Sequence, residues 1–319
     1  MSRRLSWDDL PHALRASIEE GVLGAPVIDV RSCSGGFSRS TAEIVRSTKG
    51  QELFVKAIRE LENPETARLN RIEAATLSRL PSAVPAPRLL TVLTHDDWIV
   101  LVTEVAPGCM PETPWTSRQL ETVLTALDSL QQAVTPCPLG DVPTLVATLG
   151  PDMLGFERVT EDPPEGLDPW IQSRLPRLCL SARAGIAALE GDTLCHSDLR
   201  SDNILITERG VVTLVDWAWA CRGSRVADAL QLLSSVEDPC GTLDVSGLVD
   251  GVLARHDIAP TVGTDVLVGI LGFFVDAARK PVDPGLPTLQ AHRRRARDSL
   301  LTLVQSRWDR EEGASLRPT

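Results

Sequence analysis

The stretch CHSDLRSDNILITERGVVTLVDW, residues 195–217, sets His196, Asp198, Asn203 and Asp216 in the order His-x-Asp-x4-Asn, with the last aspartate closing the next apolar run. Asn203 to Thr207 and Val211 to Asp216 read as short strands joined through Glu208-Arg209-Gly210, a hairpin. A loop with an aspartate and, five residues on, an asparagine can aim the carboxylate at a hydroxyl while the amide oxygen reaches a magnesium ion. The hairpin returns a second carboxylate to that metal. Phosphoryl transfer uses this arrangement, because its transition state demands positioning and charge neutralisation more than covalent help.

Upstream, the β-rich run LFVKAI (53–58) carries Lys56 near its end, where an ammonium can reach the phosphates of a nucleotide. Seventeen residues on, Glu73 lies in a predicted helix and can hold that lysine by an ion pair; Glu65 is a nearby competitor. The chain has only three lysines and three asparagines, so Lys56 and Asn203 are scarce residue types at the positions this chemistry needs. In CSGGFSRS (33–40), Gly35 and Gly36, with Ser34 and Ser38 beside them, can form a turn whose backbone N–H groups and hydroxyls cover phosphates. A plain hairpin turn explains the two glycines equally well.

Around these residues the chain reads as two parts. The first, residues 1–106, opens on an amphipathic helix entered near Ser6. Strands follow at Val27 to Arg31, Thr41 to Arg46 and Leu53 to Ile58, then a helix in PETARLNRIEAATLSRL (64–80), and two strands around His95-Asp96-Asp97. The second, residues 107–319, is mostly helical, with Gln119 to Ala133, Trp170 to Leu189 and His292 to Arg310 as its clearest helices. FERVTEDPPEGLD (156–168) is acidic and proline-rich, a loop or lid by composition.

Of 319 residues, 43% are hydrophobic, enough for a substantial core. Arginines and lysines number 32 against 43 acidic residues, a net charge of −11, which disfavours nucleic acid and anionic membrane as partners. The RRRAR run (293–297) reads as a solvated helix face. The longest apolar stretch read as membrane-like, Val266 to Val275, is about half of the ~20 residues that span a bilayer. Seven scattered cysteines without metal-ligand spacing read as reduced thiols, and the expectation is a cytoplasmic protein.

HSDLRSDNILI and VTLVDWAWACRGSRVADAL, preceded by the Lys56 strand, the Glu73 helix and TEVAPG, together resemble the aminoglycoside phosphotransferase family of antibiotic kinases, in order from about residue 25 to 300. The resemblance implies a protein-kinase-like bilobal α+β fold: an N-terminal antiparallel sheet with a helix, and a larger helical C-terminal lobe. It also implies ATP or GTP as donor, magnesium, and a small-molecule hydroxyl as acceptor. By resemblance, Asp198 is the catalytic base, Asn203 and Asp216 are the magnesium ligands, and Lys56 and Glu73 are the phosphate-binding pair. The backbone of Glu104 and Ala106 is the base-binding hinge, His196 supports the catalytic loop, and Asp228 braces it. Ser197 stands where the family usually has glycine, tolerable where the backbone is not left-handed. Asp-Phe-Gly is replaced by Val-Asp-Trp at 215–217 and no Ala-Pro-Glu segment follows, which argues against a protein substrate.

Charge bears on the acceptor. Residues 1–106 hold 13 basic and 14 acidic side chains, whereas 107–292 hold 12 and 25. An acidic acceptor half suits an amine-bearing molecule such as an aminoglycoside or basic peptide antibiotic. Glu157, Glu161, Asp162, Glu165, Asp168, Glu237 and Asp238 are its candidates. Macrolide and nucleoside antibiotics remain open, with resistance or self-protection as the role. A metabolic kinase for choline, a sugar or an amino-alcohol carries the same catalytic residues, and a silent nucleotide-binding regulator is the third reading. Both a monomer and a homodimer are compatible with the sequence.

Overall fold

The computed structural model describes residues 5–33, 40–238, 241–282 and 288–315. The chain divides into two compact units, Met1–Met110 with Asp202–Ala220, and Pro111–Ser201 with Cys221–Thr319. The sequence reading drew one boundary at 106/107; here 202–220, in the middle of the chain, packs with the first unit.

The first unit begins with a short turn, Trp7–Asp9, where Ser6 and Asp9 cap each other through Ser6 N–H and Oγ, each 2.8 Å from Asp9 Oδ2. Pro11 interrupts the single helix expected here, and α1 runs over His12–Ile18. Next come β1 (Val27–Ser32), β2 (Glu43–Ser47), β3 (Glu52–Arg59), α2 (Pro64–Leu77), β4 (Leu89–His95) and β5 (Trp98–Glu104). The strands form one antiparallel sheet in the order β1-β2-β3-β5-β4. In β5, the six residues Trp98 to Thr103 are all buried, so this strand is covered on both faces. On one side Leu14 and Ile18 of α1 pack with Val45, Val55, Val100 and Val102; on the other Ile99 packs with Ile58 and Ala67 of α2. Asn63 caps α2, its side chain accepting from Thr66 N–H.

The second unit takes over with α3 (Ser117–Ala133), opened by a Thr116/Gln119 capping box, then α4 (Leu145–Met153), α5 (Gly155–Glu161), α6 (Pro169–Ala187) and β6 (Thr193–Cys195). The chain re-enters the first unit for the hairpin β7 (Ile204–Ile206) and β8 (Val212–Leu214). It then returns for β9 (Cys221–Gly223), which pairs with β6, and for α7 (Ala227–Ser234), α8 (Val245–Ala254), α9 (Pro260–Ala278) and α10 (Leu289–Ser315).

Two expectations change here. Residues 156–161, read as part of a loop, lie in α5, and Asp162 is bound to Arg279 just beyond α9. The apolar run near Val266 belongs to a 19-residue helix, apolar and long enough by composition to span a bilayer, with 61% of its most apolar window buried. It packs on α6, α10 and α5, the position of a core helix.

Candidate functional site

In the first unit, Lys56 sits in β3 opposite Leu101 of β5. Its ammonium donates to Glu73 Oε2 of α2 at 2.7 Å and to Asp216 Oδ1 at 3.0 Å. Glu65 instead pairs with exposed Arg68, so the choice between the two glutamates falls on Glu73. Burial disfavours the Lys56 cation, but Glu73 and Asp216 outweigh it and push its pKa up. Burial pushes Glu73 upward too, against the opposing pull of Lys56.

Several main-chain hydrogen bonds hold the hairpin that carries Asp216. Val215 N–H donates to the Asn203 carbonyl (3.0 Å), Leu214 N–H to Pro85 (2.7 Å), and the Trp217 indole to the Leu214 carbonyl (2.9 Å). Asp216 adopts a left-handed backbone, φ 66° and ψ 61°, directly after β8. Asn203 is buried, whereas the Asp216 side chain is 35% exposed. Both offer oxygen, the donor type magnesium takes. Among the described residues no cluster of three acidic, histidine or cysteine groups forms a closed metal cage. A carboxylate and an amide with ligand phosphates completing the shell is an ordinary magnesium arrangement, and these residues fit it.

Glu104 closes β5, its N–H donating to the Arg88 carbonyl (3.0 Å) and its side chain accepting from the Arg88 guanidinium (3.0 Å). Ala106 follows in extended chain without regular structure. Beyond it, Cys109 and Ile206 exchange backbone hydrogen bonds of 3.1 and 2.8 Å, tying the segment after β5 to β7. Gly108 makes this approach possible: its φ is +101°, and a Cβ there would lie 2.6 Å from the Ile206 carbonyl carbon. Gly35, Gly36 and Ser38, proposed to cover phosphates, lie outside the described residues.

In the second unit, Asp198 stands on the loop after β6. Asp228 of α7 accepts from the backbone N–H of His196 (2.8 Å) and of Ser197 (2.9 Å). Burial raises the Asp228 pKa, while His196 and these two donors oppose the rise. The Asp198 N–H donates to His196 Nδ1 (3.3 Å), and Arg200 lies 3.8 Å from the Asp198 carboxylate. Ser197 was expected to be tolerable where the backbone is not left-handed; its φ is +67°, so that condition is not met and serine occupies a position that glycine takes more readily. Gln231, unremarked in the sequence, donates from Nε2 to the Ser197 carbonyl (3.2 Å). Its spacing of three from Asp228, on one helix face, was the available signal.

Five of the seven acidic candidates for an acceptor site have internal partners. Glu157 binds Arg183, Asp162 binds Arg279, and Glu237 lies 3.5 Å from Arg295. Asp168 caps α6, and Asp238 accepts from the N–H groups of Thr242 and Leu243. Glu161 and Glu165 stay exposed. Of the seven cysteines, the six described are free thiols.

A lysine held by a helix glutamate beneath a five-stranded sheet, followed by an Asp/Asn loop and a hairpin ending in aspartate, is the arrangement of protein-kinase-like phosphotransferases. Residues 29–257 match the family model described as the phosphotransferase enzyme family, and the chain belongs to that family. Solved structures share the fold. An aminoglycoside phosphotransferase, APH(4)-Ia, in ternary complex with AMP-PNP and hygromycin B, aligns over 93% of this chain and 99% of its own at 15% identity and TM-score 0.59. A spectinomycin phosphotransferase with ADP and spectinomycin aligns over 94% and 99% at 10% identity and TM-score 0.59. An amicoumacin kinase with AMP-PNP and calcium aligns over 84% and 88% at 14% identity and TM-score 0.53. No curated protein matches the sequence.

Proposed function

We propose that this phosphotransferase moves the γ-phosphoryl group of ATP or GTP to a hydroxyl of a small molecule, an antibiotic in the first instance, in the cytoplasm. The observation that carries the reading is the Lys56 ammonium shared between Glu73 and Asp216, which places a fixed cation beside a half-exposed carboxylate. Lys56 would hold the nucleotide phosphates, and the backbone at Glu104 and Ala106 would hold the base. Asn203 and Asp216 would hold magnesium, which when bound would supply charge neutralisation on the phosphates. Asp198 would orient the acceptor hydroxyl and take its proton late, a contribution of ~10² to 10⁴ in rate. The antibiotic-bound relatives of the same fold support a small-molecule acceptor. Glu157 and Asp162 are paired with arginines, whereas Glu161 and Glu165 stay exposed and remain the acidic loop residues that would meet a cationic acceptor.

The test is ADP or GDP release with magnesium over a panel of aminoglycoside, peptide, macrolide and nucleoside antibiotics together with choline, sugars and amino-alcohols. Acceptor-dependent turnover with one antibiotic class is the expected result. Turnover confined to the metabolites would replace the antibiotic acceptor.

A further inference from the structure

We propose that Gln231 is a positioning residue for Asp198; this rests on the reading of Asp198 as the group that orients the acceptor hydroxyl. The peptide unit between Ser197 and Asp198 is held at both ends. Its carbonyl accepts from Gln231 Nε2 (3.2 Å), and its N–H donates to His196 Nδ1 (3.3 Å). Asp228 takes the two preceding N–H groups. The plane from which the Asp198 side chain projects is thus set from α7 by two side chains three residues apart.

The local backbone needs such a clamp. Ser197 is left-handed at φ +67°, a conformation costly for a residue with a Cβ, and it persists where the surroundings over-determine it. Gln231 is also a poor choice for packing alone. Its Oε1 is buried with no hydrogen-bond partner, as is Ser197 Oγ. A buried amide that satisfies only its donor side is a cost that an apolar side chain of equal size would avoid. What the amide supplies is the single hydrogen bond to the peptide that bears Asp198. Displacing a catalytic group by about 1 Å can cost ~10² in rate without touching substrate contacts.

The experiment compares wild type, Gln231→Met, Gln231→Glu, Asp198→Ala and the Gln231→Met/Asp198→Ala double variant. The readout is nucleoside diphosphate release from MgATP or MgGTP, whichever wild type turns over, with inorganic phosphate as the co-product where no acceptor is added. Methionine keeps the volume and removes the donor; glutamate keeps the shape and offers an ionised oxygen instead. Both Gln231 single variants should lose about 10- to 100-fold in kcat at near-unchanged nucleotide KM, and Gln231→Met should cost nothing further in the Asp198→Ala background. If methionine prevents folding, the glutamate variant carries the test. Kcat within twofold of wild type in folded Gln231 variants, or an equal loss with and without Asp198, would overturn the positioning role alone. Full turnover in Asp198→Ala would overturn the Asp198 reading and this inference with it.

Discussion

Lys56 and Asp216 are 160 residues apart in the chain and 3.0 Å apart at their charged atoms. The contact links the central sheet to the aspartate hairpin, and Glu73 completes it from α2. Glu73 is 5% exposed, so removing its cation leaves a buried carboxyl without its partner. Lys56→Met should lower unfolding stability by about 3 kcal/mol or more and raise the nucleotide KM. Glu73→Gln, which leaves the lysine with Asp216, should cost less. Urea titration of the two variants, with nucleotide KM alongside, measures both effects.

Gly108 should not tolerate a side chain. Its φ of +101° and the 2.6 Å approach of a Cβ to the Ile206 main chain mean that Gly108→Ala must strain the backbone or part the Cys109–Ile206 bridge. The expected cost is about 2 kcal/mol or more, read as a lower thermal midpoint.

Ser197→Gly should do the reverse. Glycine adopts the left-handed conformation without a Cβ penalty, and the change deletes an unpartnered buried hydroxyl. Its greater freedom in the unfolded chain offsets part of the gain. A thermal midpoint at or above wild type, with turnover retained, is the expected outcome.

Arg307 has no exposed surface, and its guanidinium donates to Thr264 Oγ1, Ser246 Oγ, the Ser246 and Pro260 carbonyls and Asp250 Oδ1 at 2.9 to 3.2 Å. One side chain of α10 therefore ties together the start of α9 and one face of α8. Arg307→Ala should destabilise the protein by about 3–5 kcal/mol by denaturant unfolding. Lysine should not restore it, because an ammonium cannot reproduce the planar fork.

His256 gives the pH dependence a sign. Burial lowers its pKa from 6.5, with Arg225 and Arg255 adding to the effect and Asp128, 3.9 Å away, opposing it. A histidine depressed in the folded state binds fewer protons than in the unfolded chain. Its contribution is therefore present above pH 6.5 and lost as the pH falls through the folded value. His256→Gln should flatten the decline of unfolding stability below that pH, measured by urea titration across pH 5 to 7 at roughly half-unit steps.

Lys56 and Asn203 stood out in the sequence as scarce residue types and Asp216 as the carboxylate closing an apolar run, and the structure joins Lys56 to Asp216. The sheet and α2 were legible from apolar runs and from the helical spacing of apolar residues between Pro64 and Leu80. Other features depend on distant partners. The loop assignment for 156–168 missed α5 because Gly155, Pro163 and Pro164 obscure helical periodicity, and because Arg158 and Arg279 meet Asp276 across more than a hundred residues for the former. The acidic excess of that region suggested a cation site, yet two of its carboxylates, Glu157 and Asp162, answer arginines of the same unit and Asp168 caps a helix. Whether Ser197 is tolerable turned on its backbone, and serine alone does not announce a positive φ. For Gln231 the spacing of three from Asp228 was the one available signal, and it does not say that the side chain reaches back to the Ser197 carbonyl.

The most direct measurement compares wild type with Asp198→Ala in magnesium-dependent nucleoside diphosphate release, alongside nucleotide affinity. Turnover should fall by about 10² or more while nucleotide binding stays nearly intact. Unchanged turnover in the alanine variant would contradict the assignment of Asp198 as the group that activates the acceptor.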